Sequence, residues 1–496
     1  MSIRQPVLLA FVLISIVLAN LSAAAPRPAA FGDHLINLPM VVVQRDAGTN
    51  PPDTNLSAER RVHAPYFASA DIAEDYYGEM AIFWYGKVDS TNNHTDVRVA
   101  FSESALEIIT ATFDRWLWYD ETPTPQEFAD WDSVSVYLSI NGGDTLDSTT
   151  YRFDAQLSAE NQVTYQAAYR GTSNGWEQIP LSFTTKSGWR GVSLNKGEAG
   201  RGWSMNFRIP FASLGLEGAP VNGSIWRLGM RTYDRDNDAN QDIADQFWPP
   251  AQNQLKPSSW GALYFGLPTY SAPSVSNASE VVIKHRLNGA DVPDGMVGGG
   301  FDCGGGGGPN GEAYWTEWGN KNYEQLQDEP GNQRGDFNVQ NQRDVADWPC
   351  FSKNYITFPL SGLPTGKRIV SAKLVLHQFA NSQPEDAQPS LMQVMTVAED
   401  WDENTITWNT APLALENVGR AWVAALPGFI GFPGASREID VSWALAQAYE
   451  QGTPFRLVLY TADRYYHSGK YFIASDTGDW NEAGRPALVI TLGDAP

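Results

Sequence analysis

A two-residue beat of apolar side chains runs through this chain and restricts its fold more than any other feature. Val97, Val99 and Phe101 alternate with Asp96, Arg98 and Ala100; Val134, Val136, Leu138 and Ile140 alternate with Ser133, Ser135, Tyr137 and Ser139. Successive side chains of a strand point to opposite faces, so this pattern predicts strands with one face in a core. The beat recurs in GWSMNFRIPF, with Trp203, Met205, Phe207 and Ile209 on one face, and in SIWRLGMRTY, with Trp226, Leu228 and Met230 opposite Arg227 and Arg231. Only VSWALAQAYEQG, near residue 445, keeps a helical period. Many short strands broken by Gly, Asn, Asp and Pro predict an all-β chain of two antiparallel, jelly-roll-like β-sandwich domains.

The polar, turn-rich residues 268–279 separate two such blocks, 59–267 and 280–494. Ahead of them, residues 25–58 are rich in Pro, Ala, Asn and Asp and are expected to form a tether. Residues 1–24 place Arg4 before the run VLLAFVLISIVLAN and end in small residues, the order of a secretory signal peptide. The apolar run is short of the ~20 residues a spanning helix requires, so a secreted, extracellular protein is expected, with no membrane insertion after cleavage. The whole chain carries a net charge of −23, which removal of Arg4 makes more acidic and which disfavours nucleic acid. Hydrophobic residues make up 42% of it, too many for a disordered chain. Its two cysteines, Cys303 and Cys350, are too few for a disulfide scaffold and are expected to pair after export.

The motifs WDSVSVYLS, GWSMNFRIPFASLGL, WRLGMRTYDRD, FWPP and SSWGALYFG span nearly all of the first block, which resembles the family 9 carbohydrate-binding modules and related DOMON-like sandwiches. The second block carries IVSAKLVLHQF, EDWDENTITWNTAP, IDVSWALAQAYEQG, LVLYTAD, HSGKYFIASDTGDWN and RPALVITLG in that order and resembles a DNRLRE domain. Both resemblances imply a polysaccharide or other glycan as partner. Family 9 modules clamp a terminal sugar between two tryptophans, helped by a glutamate on the DSV strand. Here Ser135 stands where that glutamate is expected and Ala129 where one tryptophan is, with Trp131 nearby.

A pyranose presents a C–H face to a flat ring and hydroxyls to flanking polar groups, so exposed aromatics beside polar residues are the signature to seek. Strand phase assigns Trp203 and Trp226 to the core. Trp116, Trp118 and Tyr119 lie beside acids and a turn, and Trp248 lies beyond an acidic loop, so these are expected to be exposed platforms, with Trp131 and Arg231 near them. In the second block, Lys470 and Arg485 flank Trp480 and would serve an acidic glycan.

The loop after the SIWRLGMRTY strand places Asp234, Asp236, Asp238, Asp242 and Asp245 at spacings of a calcium loop. Ala239 replaces the turn glycine, Asp245 the bidentate glutamate, and a strand leads in, which excludes an EF-hand. Calcium held by Asp234, Asp236, Asp238 and Asp242 is one reading of the loop, and a solvated turn is the other. The chain has no H-E-x-x-H or P-loop motif. The expectation is a secreted, non-catalytic polysaccharide-binding protein; the alternatives are a structural, adhesive surface protein and an accessory part of glycoside hydrolysis.

Overall fold

In the computed structural model the alternating segments form three sheets that stack into four layers. It describes residues 59–159, 165–198, 200–237, 244–299, 312–322, 325, 335–343, 350–465 and 468–496. Residues 1–58, and with them the expected signal peptide and tether, lie outside the described residues, as do Cys303, Asp238 and Asp242. Cys350 is buried and disulfide-bonded.

The inner sheet has five strands in the order Ala81–Asp89, Asn92–Phe101, Ala105–Phe113, Gly200–Pro210 and Thr184–Gly191. One face carries Phe83, Val97, Val99, Ile108, Trp203, Met205 and Phe207 into a core shared with Val134, Val136, Leu138, Leu228 and Met230. Its other face is buried too, except toward the strand Thr184–Gly191. Ile82, Trp84, Ala111 and Phe113 pack against Tyr355, Met395, Val458 and Tyr460 of the second half. Asp96 and Arg98, which the alternation puts opposite Val97 and Val99, are therefore fully buried.

The long sheet has thirteen strands and passes through both halves. Its second-half strands alternate between two cores: Leu457 and Leu459 face the outer sheet, while Val458 and Tyr460 face the inner one. The join is the short strand Arg61–Ala64, parallel to Gly261–Phe265 over four residue pairs and touching Ala414–Val423 through Arg61 opposite Glu416. Side chains complete this thin seam. Asn417 accepts from the His63 backbone N–H at 2.7 Å and donates back to the His63 carbonyl at 3.0 Å, and Glu416 pairs with the His63 ring at 2.7 Å and with Arg61 at 3.1 Å. Residues 267–275 carry no regular structure, and the strand Ser276–Lys284 opens the outer sheet.

The outer sheet runs Ser276–Lys284, Ala487–Asp494, Arg368–Asn381, Lys470–Ile473 and Asp336–Val339, with Ala435–Asp440 paired to Arg368–Asn381. Against its core lies the one long helix among the described residues, Ser442–Gln451, at the expected place. It buries Ala444 and Leu445 and ends at Gly452, whose φ of 66° is a left-handed cap that glycine adopts without steric penalty.

Candidate functional site

The face of the long sheet turned away from the first-half core holds an open cleft of about 360 Å³. Register builds its floor. Strand Ser133–Ser139 sends Val134, Val136 and Leu138 inward and Ser135 and Tyr137 outward, and its neighbour Thr150–Gln156 sends Arg152 and Asp154 out beside them. Arg231 and Asp154 lie opposite Ser135 on its two sides, and Arg152 lies between Tyr137 and Tyr169. Pro125, Phe128 and Ala129 form one wall and Gln254 part of another.

These groups hold one another in place. Ser135 donates to Asp154 at 2.6 Å, and Arg152 reaches the other Asp154 oxygen at 2.8 Å. The Arg152 guanidinium lies 3.9 Å over the Tyr169 ring and keeps a buried Nε without a hydrogen-bond partner. Arg231 lies 4.3 Å over the Tyr233 ring and pairs with Asp245. Burial raises the Asp154 carboxyl, opposed by Arg152 and Ser135; burial raises the Tyr137 and Tyr233 hydroxyls as well, which keeps them neutral donors at physiological pH. Guanidiniums held in place by stacking, beside a carboxylate already oriented, suit a ligand rich in hydroxyls.

Of the residues expected from sequence, Arg231 lies in this cleft. Trp131 borders the nearby loop, with the Arg235 guanidinium 3.7 Å over its ring. Trp116 and Trp118 are half-buried, and Arg115 covers Trp116 at 4.4 Å. Two expected platforms are core residues. Trp248 is 1% exposed and packs 4.2 Å from Phe83, because its three-residue strand pairs with Met230 and turns the indole inward; Tyr119 is buried beside Leu117 in the same core. Arg152, Asp154, Tyr169 and Tyr233 were not singled out by sequence, since each reads alone as an ordinary strand residue.

At the end of the same strands, carboxylates converge. One oxygen each from Asp114, Asp234 and Asp236 lies within 4.8 Å of the others. Asp114, which the loop spacing could not reveal, ends strand Ala105–Phe113 and accepts from the Trp116 backbone N–H at 2.9 Å and the Trp203 indole at 3.0 Å. Asp132 accepts from the backbone N–H groups of Trp118 at 2.7 Å and Arg235 at 2.9 Å, tying this group to the mouth of the cleft. Burial, then the charge of Asp236, raises Asp114 well above the ordinary carboxyl range; burial, then Asp114, does the same to Asp132. Burial pushes Asp236 up to about 7 against the pull of Arg115.

In the second half, Trp480 is 72% exposed, as a platform requires, and meets Phe432 edge-on at 5.0 Å. Phe432 continues into exposed Phe429 and half-buried Phe379 as an aromatic ridge. The basic partners expected around it are displaced inward. Lys470 is fully buried, donating to the Gln388 carbonyl at 2.7 Å, and Arg485 is 2% exposed, donating to the Thr477 carbonyl and to Asp479. Proximity in sequence did not place these cations on the surface, because both are spent holding local backbone.

Residues 333–490 match the model of Carbohydrate-binding module family 96. A family 9 carbohydrate-binding module from Caldicellulosiruptor kristjanssonii, solved with cellotriose, is similar over 42% of this chain and 95% of its own, at 15% identity and a TM-score of 0.31. A second structure of a family 9 module from that organism, with glucose, covers 43% of this chain and 100% of its own at 15% identity and a TM-score of 0.29. No curated protein matches the chain. The second half is thus similar to a carbohydrate-binding module, within an architecture that is nearly all β.

Proposed function

We propose that this is an exported protein that holds a polysaccharide without cleaving it, in the sheet-face cleft of its first half, with a second half of DNRLRE type. The carrying observation is the Ser135–Asp154–Arg152–Tyr169 chain of contacts, which, with Arg231 beside it, sets an oriented carboxylate and ring-stacked guanidiniums along the cleft on a rigid sheet. The family match over residues 333–490 supports carbohydrate as the ligand class. Among the described residues lining the cleft, Asp154 is the single carboxylate, whereas glycoside hydrolysis by the common routes uses two. Affinity electrophoresis through hydroxyethyl cellulose, xylan and laminarin tests the reading. Retardation is expected in at least one gel and is lost in Arg152→Ala and Tyr169→Ala, with no release of reducing ends. Unchanged mobility throughout the panel would overturn it.

A hard cation, calcium being the best fit, is proposed at Asp114, Asp234 and Asp236, beside the cleft. Buried like charges repel strongly unless protonated or screened, and oxygen ligands alone suit calcium. Its role would be to fix the loop ends at Asp132 and Arg235 that border the cleft. Chelation should then lower the melting temperature and restored calcium should raise it.

A further inference from the structure

A second cleft, of about 510 Å³, lies at the junction of the two halves, away from the sheet-face cleft. Its floor is the inner sheet, where Lys186 pairs in register with Asn206 and Gly188 with Ser204. Its walls bring Glu74 from the first half against Gln342, Arg343 and Arg464 from the second. Arg343 binds Glu74 at 2.9 Å and Arg464 takes its other oxygen, so one carboxylate orients two guanidiniums. Counting Lys186 and Arg190, four cations face Glu74 and Asp71, in a chain where acids outnumber bases 57 to 34. A second observation points to a ligand. Gln342 is 2% exposed, lines the cleft, and has neither amide atom hydrogen-bonded; the side-chain amide oxygen of Asn206, which lines the same cleft, is also buried and unpaired. Buried amides are ordinarily satisfied, and leaving both ends of one open is costly unless something else completes it.

We propose that the junction cleft binds a carboxylated saccharide, the carboxylate meeting the Lys186, Arg190, Arg343 and Arg464 group and the hydroxyls pairing with Gln342 and Asn206. A cationic cleft with low-dielectric walls concentrates anions even when the protein as a whole is acidic. Arginines fit a carboxylate fork geometrically, and a neutral amide offers a donor and an acceptor together, as a sugar hydroxyl requires. The choice of a saccharide over other carboxylates rests on the glycan-binding reading above. Because both halves supply walls, the site exists only in the intact chain.

Calorimetry with trigalacturonate on the full protein tests this. Binding is expected, and it should weaken as salt is raised toward about 0.5 M. The double variant Lys186→Gln/Arg190→Gln alters exposed positions and should bind at least about tenfold more weakly, the equivalent of one charge-assisted contact. Gln342→Leu keeps the volume, removes the open amide and should also weaken binding. No heat with trigalacturonate, unchanged affinity in both variants, or an equal response to acetate would overturn the proposal. Arg152→Ala separates the two sites. If it abolishes trigalacturonate binding while the double variant does not, the sheet-face cleft takes the anion and the junction site falls. If trigalacturonate binds at the junction while no neutral glycan is retained, the sheet-face reading falls and this one stands.

Discussion

Two buried groups of ionisable side chains, one in each seam of the molecule, are built on opposite plans. Between the inner sheet and the second half, Asp96 accepts from His94 at 3.0 Å, Asn341 at 2.9 Å and Tyr460 at 2.8 Å, and Arg98 donates to Asn341 at 2.7 Å. Lys353 completes the group from a cage of rings, 3.9 Å from Trp84, 3.8 Å from Trp408 and 4.7 Å from Tyr460. Burial alone would raise the Asp96 carboxyl, yet His94, Lys353 and Arg98 together hold it well below the ordinary range. At the end of the first-half sheet, Asp114 and Asp132 are buried and Asp236 is half-buried, with Arg115 alone opposing Asp236, and all three carboxyls are raised. The first group is balanced in charge, although Arg98 keeps its Nε and Nη1 buried without partners. The carboxylate-rich group, in which the acids outnumber the opposing Arg115, is settled by protons or by a cation, which is why it is proposed as the cation site.

Breaking the balanced group should have the largest effect. Asp96→Ala leaves Lys353, Arg98 and His94 buried together without their shared counter-charge, and removal of one partner from a buried pair costs about 3–5 kcal/mol. Urea denaturation measures it. A loss under about 1 kcal/mol would mean that water already reaches the seam. The carboxylate-rich group should respond to its ligand. A cation at a hundred times its dissociation constant stabilises by about 2.7 kcal/mol, and Asp236→Asn should remove most of that gain. Equal melting temperatures with calcium and with chelator would leave a solvated carboxylate turn as the better account.

How far these features are legible in sequence depends on whether they are local. The beat in VSVYL fixes which side chains enter the core, and Trp203 and Trp226 lie there as phase requires. Trp248 escapes the same logic because a strand of three residues has no beat to read. Arg152 and Tyr169 become a site only through the register Tyr137–Arg152–Tyr169, which no single segment encodes. Asp114 joins Asp234 and Asp236 across a long stretch of chain, so loop spacing found part of the carboxylate group and missed its deepest member. Asp96 and Arg98 stand on what alternation reads as a solvent face. The second half covers that face, and only a sheet shared between the halves makes this visible.

The pH dependence sharpens the comparison most finely, because the two groups act in different windows with opposite signs. Lys353 is lowered to about 7 by burial against the pull of Asp96, so above about pH 7 the folded protein releases a proton that the unfolded chain retains to about 10.4, and stability from this residue rises with pH. Asp236 is raised to about 7, so between the unfolded carboxyl range near 4 and pH 7 the folded protein retains a proton that the unfolded chain has lost; stability from this residue falls as pH rises. In chelator, the wild type should therefore lose on the order of 1–2 kcal/mol relative to Asp236→Asn between pH 5 and pH 7, a change smaller than the two above. Calcium should abolish the difference in slope, since a bound cation replaces the retained proton. Parallel curves for wild type and Asp236→Asn in chelator would mean that the carboxylates are already ionised and hydrated in the folded protein. The alkaline gain from Lys353 would be untouched by that result, because its cage contains none of the residues of the carboxylate group.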